Sequence, residues 1–398
     1  MKIVDLRCAM LGKSPIVRIV TDQGISGYGQ VEQYKPYLKP FVLYFREALI
    51  GEDPTDVERI MIKIRQRGAF KPWGSAVSVI EHALWDVAGK AAGLPVYKLL
   101  GGKIRDRVRV YNGSLRKPFK DFSPQSFADD IRRMMELPQG FTLVKQGIAF
   151  HSRMRREFPD YHFGESIDTP FHSWPDRGMM SERGMGYTLE CVAAMKEVAG
   201  DKVAIALDCG PGWMLPDAIR FARAVEKYNI AWCEDMITGD YSPYVNADVY
   251  RELTQSTSTP IHTGEQIYLR QNFKSLIETK AVRIVGPDPC DVGGIAELKW
   301  IAEYADLHGV LMAPHGTGNG VLGMAALVQV CATLPQNFIA FEYPGAEADW
   351  WHEIVDGLPN PIVKNGFIDV WDRPGMGVDL VPERAKRYLA GEDAGFFD

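Results

Sequence analysis

Five carboxylates and one imidazole recur along the second half of the chain, each closing a short apolar run. They are Asp208 after Val203–Leu207, Glu234 after Ile230–Cys233, Glu265 after Pro260–Gly264, Asp288 after Val282–Pro287, His315 after Val310–Pro314 and Glu342 after Phe338–Phe341. No lysine or arginine stands at the strand ends that carry Asp208, Glu234 and Glu265. Three carboxylates gathered without counter-charge repel one another and raise one another's pKa values. A hard divalent cation with oxygen ligands resolves this. Mg²⁺, one per subunit, suits the set because it takes a few carboxylates and keeps positions for water and substrate. The alternative is that the three acids merely end strands and cap the helices that follow.

His315 precedes the glycine-rich run Gly316–Gly320, which leaves its ring accessible. Asp288 ends the preceding apolar run, so a carboxylate–imidazole pair is expected, with the acid fixing the tautomer and raising the basicity of the ring. Lys145, after Thr142–Val144, offers either a base of lowered pKa or a fixed cation for a substrate carboxylate. The Gly316–Gly320 run has neither a dinucleotide fingerprint nor a P-loop, so it does not argue for phosphate.

The elements that must position these groups follow from their spacing. Polar groups recur at roughly the 30-residue interval of a strand–helix–strand unit. Continuous apolar runs alternating with helical patterns imply a buried parallel sheet. If eight such units close into a barrel, the carboxyl ends of the strands meet at one mouth, and the six groups face one another there. The fold class is therefore α/β, with a capping unit outside the period. The expected divisions are an N-terminal part of an α+β capping domain over residues 1–112, a barrel over 113–345, and a C-terminal segment, 346–398, that returns to the capping domain.

Within residues 1–112, Lys2–Met10 and Pro15–Thr21 read as strands, and helices are expected over Lys39–Ile50, Asp53–Gln66 and Ser75–Ala92. Between Lys145 and Asp208 the chain is about 30 to 40 residues longer than the usual interval, a length that in a compact domain points to function or disorder. The stretch 148–186 is rich in His, Arg, Met, Pro and Gly, with a helix expected to resume at Tyr187. Hanging from a strand's carboxyl end, it should lie over the mouth and bring His151, Tyr161, His162 or His172 to it as a general acid.

Composition narrows the remaining classes. A net charge of −6 leaves no basic footprint for nucleic acid. No apolar run is long enough to span a bilayer and no signal-peptide pattern opens the chain, so a cytoplasmic protein is expected. The six cysteines are scattered without a CxxC pair and read as small buried apolar residues.

The stretches Ser75–Asp86 and Gly89–Gly102, with Pro287-Asp288, Gly293-Gly294-Ile295, Ala313-Pro314-His315 and Arg373–Val378, resemble the enolase superfamily, mandelate racemase-like subgroup. The resemblance covers nearly the whole chain. It implies a modified (β/α)7β TIM barrel with an α+β capping domain, Mg²⁺ on Asp208, Glu234 and Glu265, and a His315–Asp288 dyad as general base. It further implies that Glu342 hydrogen-bonds near the substrate carboxylate, and that the shared step removes a proton α to a carboxylate to give an enediolate.

Two positions depart from the subgroup. Its second-strand Lys-x-Lys pair keeps Lys145 but has Gly147 in the second place, and the histidine that some sugar-acid dehydratases carry two residues after the first metal ligand is Gly210. With only the His315 face furnished, elimination by one group is favoured over racemisation by two. The expected activity is dehydration of an aldonic or aldaric acid to a 2-keto-3-deoxy acid. The alternatives are a racemase, epimerase or cycloisomerase, or a metal- and ligand-binding relative without catalysis. The expected partner is a small-molecule carboxylate, with specificity from Tyr34, Tyr37, residues 65–73 and the insertion; a homo-oligomer is expected, as is common among soluble enzymes.

Overall fold

The computed structural model describes residues 1–31, 35, 37–66, 74–113, 119–165, 176–237, 245–316, 318, 320–344 and 350–398. Three antiparallel strands open the chain, β1 (Ile3–Leu11), β2 (Ser14–Thr21) and β3 (Ser26–Gln30). The helix Gly74–Ala92 lies on this sheet and is buried along most of its length. Its approach depends on Gly27 and Gly29 of β3, where a Cβ would overlap the backbone carbonyls of Ala83 and Val79.

One face of that helix meets the barrel. Ser78 Oγ accepts a hydrogen bond from the Gly293 amide (2.9 Å), and the His82 ring contacts the Pro289 carbonyl (3.1 Å). The Glu81 carboxylate accepts the Ile295 and Ala296 amides (3.0 Å each) and so caps the helix Ile295–Leu307. Residues 78, 81 and 82 share a face by helical spacing. The Ser75–Asp86 signature is thus the joint that docks the capping unit beside Asp288.

The barrel is built from β4 (Arg107–Asn112), β5 (Leu143–Gly147), β6 (Ala204–Asp208), β7 (Trp232–Glu234), β8 (Ile261–Thr263), β9 (Ile284–Val285), β10 (Leu311–Met312) and β11 (Phe341–Tyr343). Neighbours pair in parallel in the order β10-β9-β8-β7-β6-β5-β4-β11. Hydrogen bonds from Met312 N to Asn337 O (2.9 Å), Ile339 N to Met312 O (2.8 Å) and Glu342 N to Pro314 O (2.9 Å) close the ring between β10 and β11. Its interior is filled by Tyr111, Leu143, Ala206, Trp232, Ile284, Ala313 and Ala340, so it is a packed core with chemistry only at the rim. A short strand, Phe367–Asp369, pairs antiparallel with β4, and the chain then returns to β1, with Ala390 N donating to Met10 O (3.0 Å).

The stretch after β5 is more ordered than its composition suggests. Its described parts contain a 3-10 turn, Ala149–His151, and a helical turn, Met154–Glu157. The helix begins at Glu182, earlier than the Tyr187 start, because the Ser181 hydroxyl caps it by accepting the Gly184 amide (2.9 Å). His172, Tyr34 and residues 67–73 lie outside the described residues. Among the described residues, no helix is long and apolar enough to cross a membrane.

Candidate active site

All six groups of the carboxylate series lie at the carboxyl-end rim. Asp208 and Glu234 are the last residues of β6 and β7, and Glu342 lies within β11; Glu265, Asp288 and His315 stand just past short strands, held by the turns that follow. Asp288 is fully buried, accepts the Cys290 amide at 2.7 Å through Oδ1, and lies 2.6 Å from His315 Nδ1 through Oδ2. That contact fixes Nε2 toward the mouth, where it lies 3.2 Å from Glu342 Oε2 and 3.4 Å from Glu265 Oε2. Burial alone would lower the His315 pKa, but Glu265, Glu342 and Asp288 hold it well above the usual imidazole range. Burial pushes the Asp288 carboxyl up, against its hydrogen bond to His315. Room for Glu342 comes from Gly113, where a Cβ would overlap its carboxylate.

Lys145 changes the reading of the acids. Its Nζ lies 2.5 Å from Glu234 Oε1, 3.2 Å from Glu342 Oε1 and 3.4 Å from Asp208 Oδ2. The counter-charge that the strand ends of the three acids lack therefore arrives from β5. Burial works to lower the Lys145 pKa, yet Glu234, Glu342 and Asp208 keep it well above the ordinary lysine value. In the metal-free site this arrangement makes Lys145 a fixed ammonium, and for Lys145 as for His315 the acids that raise the pKa include groups that a cation would engage.

Glu234 is held by two groups that the sequence reading passed over. Trp232 Nε1 donates to Glu234 Oε2 (2.8 Å), and His262 Nδ1 lies 3.3 Å from the same oxygen while its Nε2 contacts the Ala313 carbonyl (3.1 Å). Burial opposes ionisation of Glu234, but Lys145 and His262 bring its pKa below the usual carboxylate range. Trp232 was findable, since residues two apart on a strand share a face. Asp235 was also missed. Oxygens of Glu234, Asp235 and Glu265 lie within 4.8 Å of one another, close enough for one cation. Asp208 does not complete that trio; its oxygens are engaged by Lys145 and by His151 Nδ1 (3.2 Å).

Two other loop candidates, Tyr161 and His162, pack within the loop. Tyr161 is buried, 2.8 Å from Thr188 Oγ1, and packs edge-on to Phe150 at 6.0 Å. His162 packs edge-on to Phe150 at 5.8 Å, and burial lowers its pKa. Tyr37 of the capping unit is 54% exposed. His151 alone of the loop residues named from sequence contacts one of the six rim groups among the described residues. His151 thus stands beside Gly147 and Gly210, the two positions where the sequence carries no acid or base.

Comparison with known proteins agrees with this architecture. Residues 138–384 match the enolase C-terminal domain-like family, and residues 11–101 match the mandelate racemase/muconate lactonizing enzyme N-terminal domain. The chain belongs to the mandelate racemase/muconate lactonizing enzyme family of the enolase superfamily. It is 32% identical to a D-xylonate dehydratase of Haloferax volcanii, over 95% of this chain and 87% of that protein. It is 29% identical to a D-galactonate dehydratase of Variovorax paradoxus, over 92% and 89% respectively. The crystal structure of a mandelate racemase/muconate lactonizing enzyme-like protein from Rubrobacter xylanophilus superposes with a TM-score of 0.82 at 31% identity, over 98% of each chain. Membership implies a divalent metal, and the donor set fits one: buried carboxylates gathered at the rim, with Glu234, Asp235 and Glu265 near enough to share it.

Proposed function

We propose that this protein is a sugar-acid dehydratase, a hydro-lyase that converts an aldonic or aldaric acid to its 2-keto-3-deoxy acid. The observation that carries the reading is the dyad. Asp288 holds His315 by Nδ1, and Nε2 faces a rim lined by Glu265, Glu342 and Lys145. A sugar acid presents a carboxylate, an α-hydrogen and a β-hydroxyl. Lys145, charged and buried, is the fixed cation for the carboxylate end, and Glu342 orients that end by hydrogen bonding. His315 Nε2 removes the α-proton. The electron pair of the C–H bond passes first into the carboxylate and then forms the C2–C3 double bond as the C3–O bond breaks, and the departing hydroxyl takes the proton from His315 Nε2 and leaves as water. The enol then becomes the 2-keto acid by taking a proton at C3.

A divalent cation, which we assign as Mg²⁺ on Glu234 and Glu265 with Asp208, whose contacts to Lys145 and His151 the ion would replace, would supply the positive charge that makes an α-proton of this kind accessible to an imidazole. The hard oxygen donors favour it over softer ions. The similarity to the D-xylonate and D-galactonate dehydratases supports the substrate class. A cytoplasmic homo-oligomer is the form we expect.

The test is a screen of purified protein with Mg²⁺ against aldonic and aldaric acids, including D-xylonate and D-galactonate. Formation of a 2-keto-3-deoxy acid that is lost in His315→Asn supports the reading. No keto acid from any member, or turnover unchanged in His315→Asn, refutes it.

A further inference from the structure

We infer a second binding site at the other end of the barrel, a cavity walled by Arg105, Arg107 and Arg109 that takes a small organic anion carrying two or more negative charges. It goes beyond the dehydratase reading and uses none of the groups at the rim.

The cavity has a volume of ≈ 480 Å³ and is lined by the three arginines, the rings of Phe338 and Phe367, and the carboxylates of Asp106 and Asp369. Arg107 opens β4 and Asn112 closes it at the rim, so the two ends stand about 16 Å apart at the usual rise of a strand. Residues two apart on a strand share a face. Val108 and Val110 are buried in the large outer core, while Tyr111 fills the barrel interior. Arg109 and Arg107 continue the face of Tyr111 and lie beneath it, with the packed interior between them and His315.

The three cations are held in place without being neutralised. Arg107 and Arg109 each place the guanidinium carbon 4.3 Å from the centre of the Phe367 ring, and Phe367 is the partner of Arg109 in the antiparallel pairing with β4. Arg105 lies 5.0 Å over Phe338 and donates to the carbonyls of Cys331 and Pro335, the latter at 2.9 Å. Rings and carbonyls orient a guanidinium but supply no counter-ion. Among the described residues none of the three has a carboxylate oxygen within 4.0 Å. Asp106 is engaged by Lys103 Nζ at 3.1 Å, and Asp369 stands opposite Arg107 in register without closing an ion pair. Burial lowers the Arg105 pKa, the mark of a cation that has lost water and gained no anion. In a chain of net charge −6, three such groups around one cavity are an excess that a bound anion would balance.

The planar forks of arginine match the paired oxygens of phosphate and carboxylate groups. The volume lies within the range of small-molecule pockets, about 300–1,000 Å³, and leaves room for an organic body beside the two rings. Phosphate esters and polycarboxylates both present this chemistry.

Calorimetry of the full chain with Mg²⁺ at constant ionic strength, with inorganic phosphate and with succinate as probes, tests the site and separates the two sources. We expect saturable binding, weakened about 10-fold in Arg107→Gln, the contribution of one charge-assisted hydrogen bond. Asp369→Asn removes a competing carboxylate and should tighten binding several-fold, a gain that a damaged fold does not produce. Tighter binding of phosphate supports the site and assigns it to a phosphate ester; tighter binding of succinate supports it and assigns a polycarboxylate. Keto-acid formation should be unchanged in Arg107→Gln.

Absence of saturable binding of either probe overturns the proposal, as does affinity unchanged in both Arg107→Gln and Asp369→Asn. Binding that survives Arg107→Gln but is lost in Lys145→Met also overturns it, since the anion would then sit at the rim. Failure of the dehydratase reading shows separately, as absence of keto acid from wild-type protein, and leaves the binding measurement standing.

Discussion

The two histidines of the mouth are held in different ways. His315 is 8% exposed in its side chain, gripped by a buried carboxylate at 2.6 Å, and follows a barrel strand directly. His151 is 30% exposed, rests on Asp208 at 3.2 Å, and is carried by a turn beyond its strand. One wall is scaffold throughout: Asp288 is held by the Cys290 amide, and beneath it the capping helix docks through Ser78, Glu81 and His82. The other wall is stitched by backbone hydrogen bonds, from the Ile148 amide to Asp208 O (2.8 Å) and from the His151 amide to Cys209 O (3.1 Å), but its side chain stands beside Gly147 and Gly210. The difference teaches where each kind of chemistry belongs. The α-proton step that we propose sits on the wall that the fold over-determines, and the facing wall is one that a few loop residues can rebuild.

The comparison can be broken from either side. His315→Asn should remove the α-proton step, lowering kcat by about 10³-fold and abolishing solvent exchange at the α-carbon, as read by NMR in D₂O. His151→Phe should leave exchange in place, so equal losses of exchange in the two variants would erase the distinction between the walls. Asp288→Asn keeps the shape but loses the anion that fixes the tautomer; kcat should fall by about 10²-fold with KM little changed.

Lys145 stands between the walls, and its removal tests whether the acids need it. Lys145→Met leaves Glu234 buried without its closest cation, so the metal-free protein should lose about 3 kcal/mol in denaturant unfolding. Added Mg²⁺ should restore more stability to the variant than to the wild type.

The last effect concerns the joint beneath the scaffold wall. Burial pushes the His82 pKa down to about 4, with the Pro289 carbonyl contact opposing it. The folded state therefore keeps the ring neutral while the unfolded chain takes a proton below about 6.5. The contribution is complete above that pH and is lost as pH falls toward 4, a loss of about 3 kcal/mol that His82→Gln should flatten. A pH–stability curve of the two proteins reads it directly.

Much of this was legible in the sequence because a parallel barrel converts linear recurrence into spatial convergence. The apolar runs ending in Asp208, Glu234, Asp288 and His315 became strands and rims, and the family signature located the joint that the Ser75–Asp86 helix makes with the barrel. What stayed hidden depended on neighbours across strands. Lys145 lies far from Glu234 and Glu342 in sequence but beside them in space, so the carboxylates looked bare of counter-charge. His262 reaches Glu234 from the adjacent strand, a relation set by register. Gly147 and Gly210 were read as missing groups, yet a glycine also marks space that something else fills. Nothing local in the sequence said that His151 would turn back into that space; the left-handed Ala149 does it, and alanine carries no such signal.

The central claim is removal of an α-proton by His315 followed by loss of the β-hydroxyl, and the label in the product tests it most directly. Wild-type protein with Mg²⁺ is incubated in D₂O with the acid identified by the screen, and product and recovered substrate are examined by NMR and mass spectrometry. The account predicts a 2-keto-3-deoxy acid carrying one solvent deuterium at C3, where the enol is quenched. Recovered substrate with deuterium at C2 and no keto acid would contradict it and identify an isomerase in place of a dehydratase.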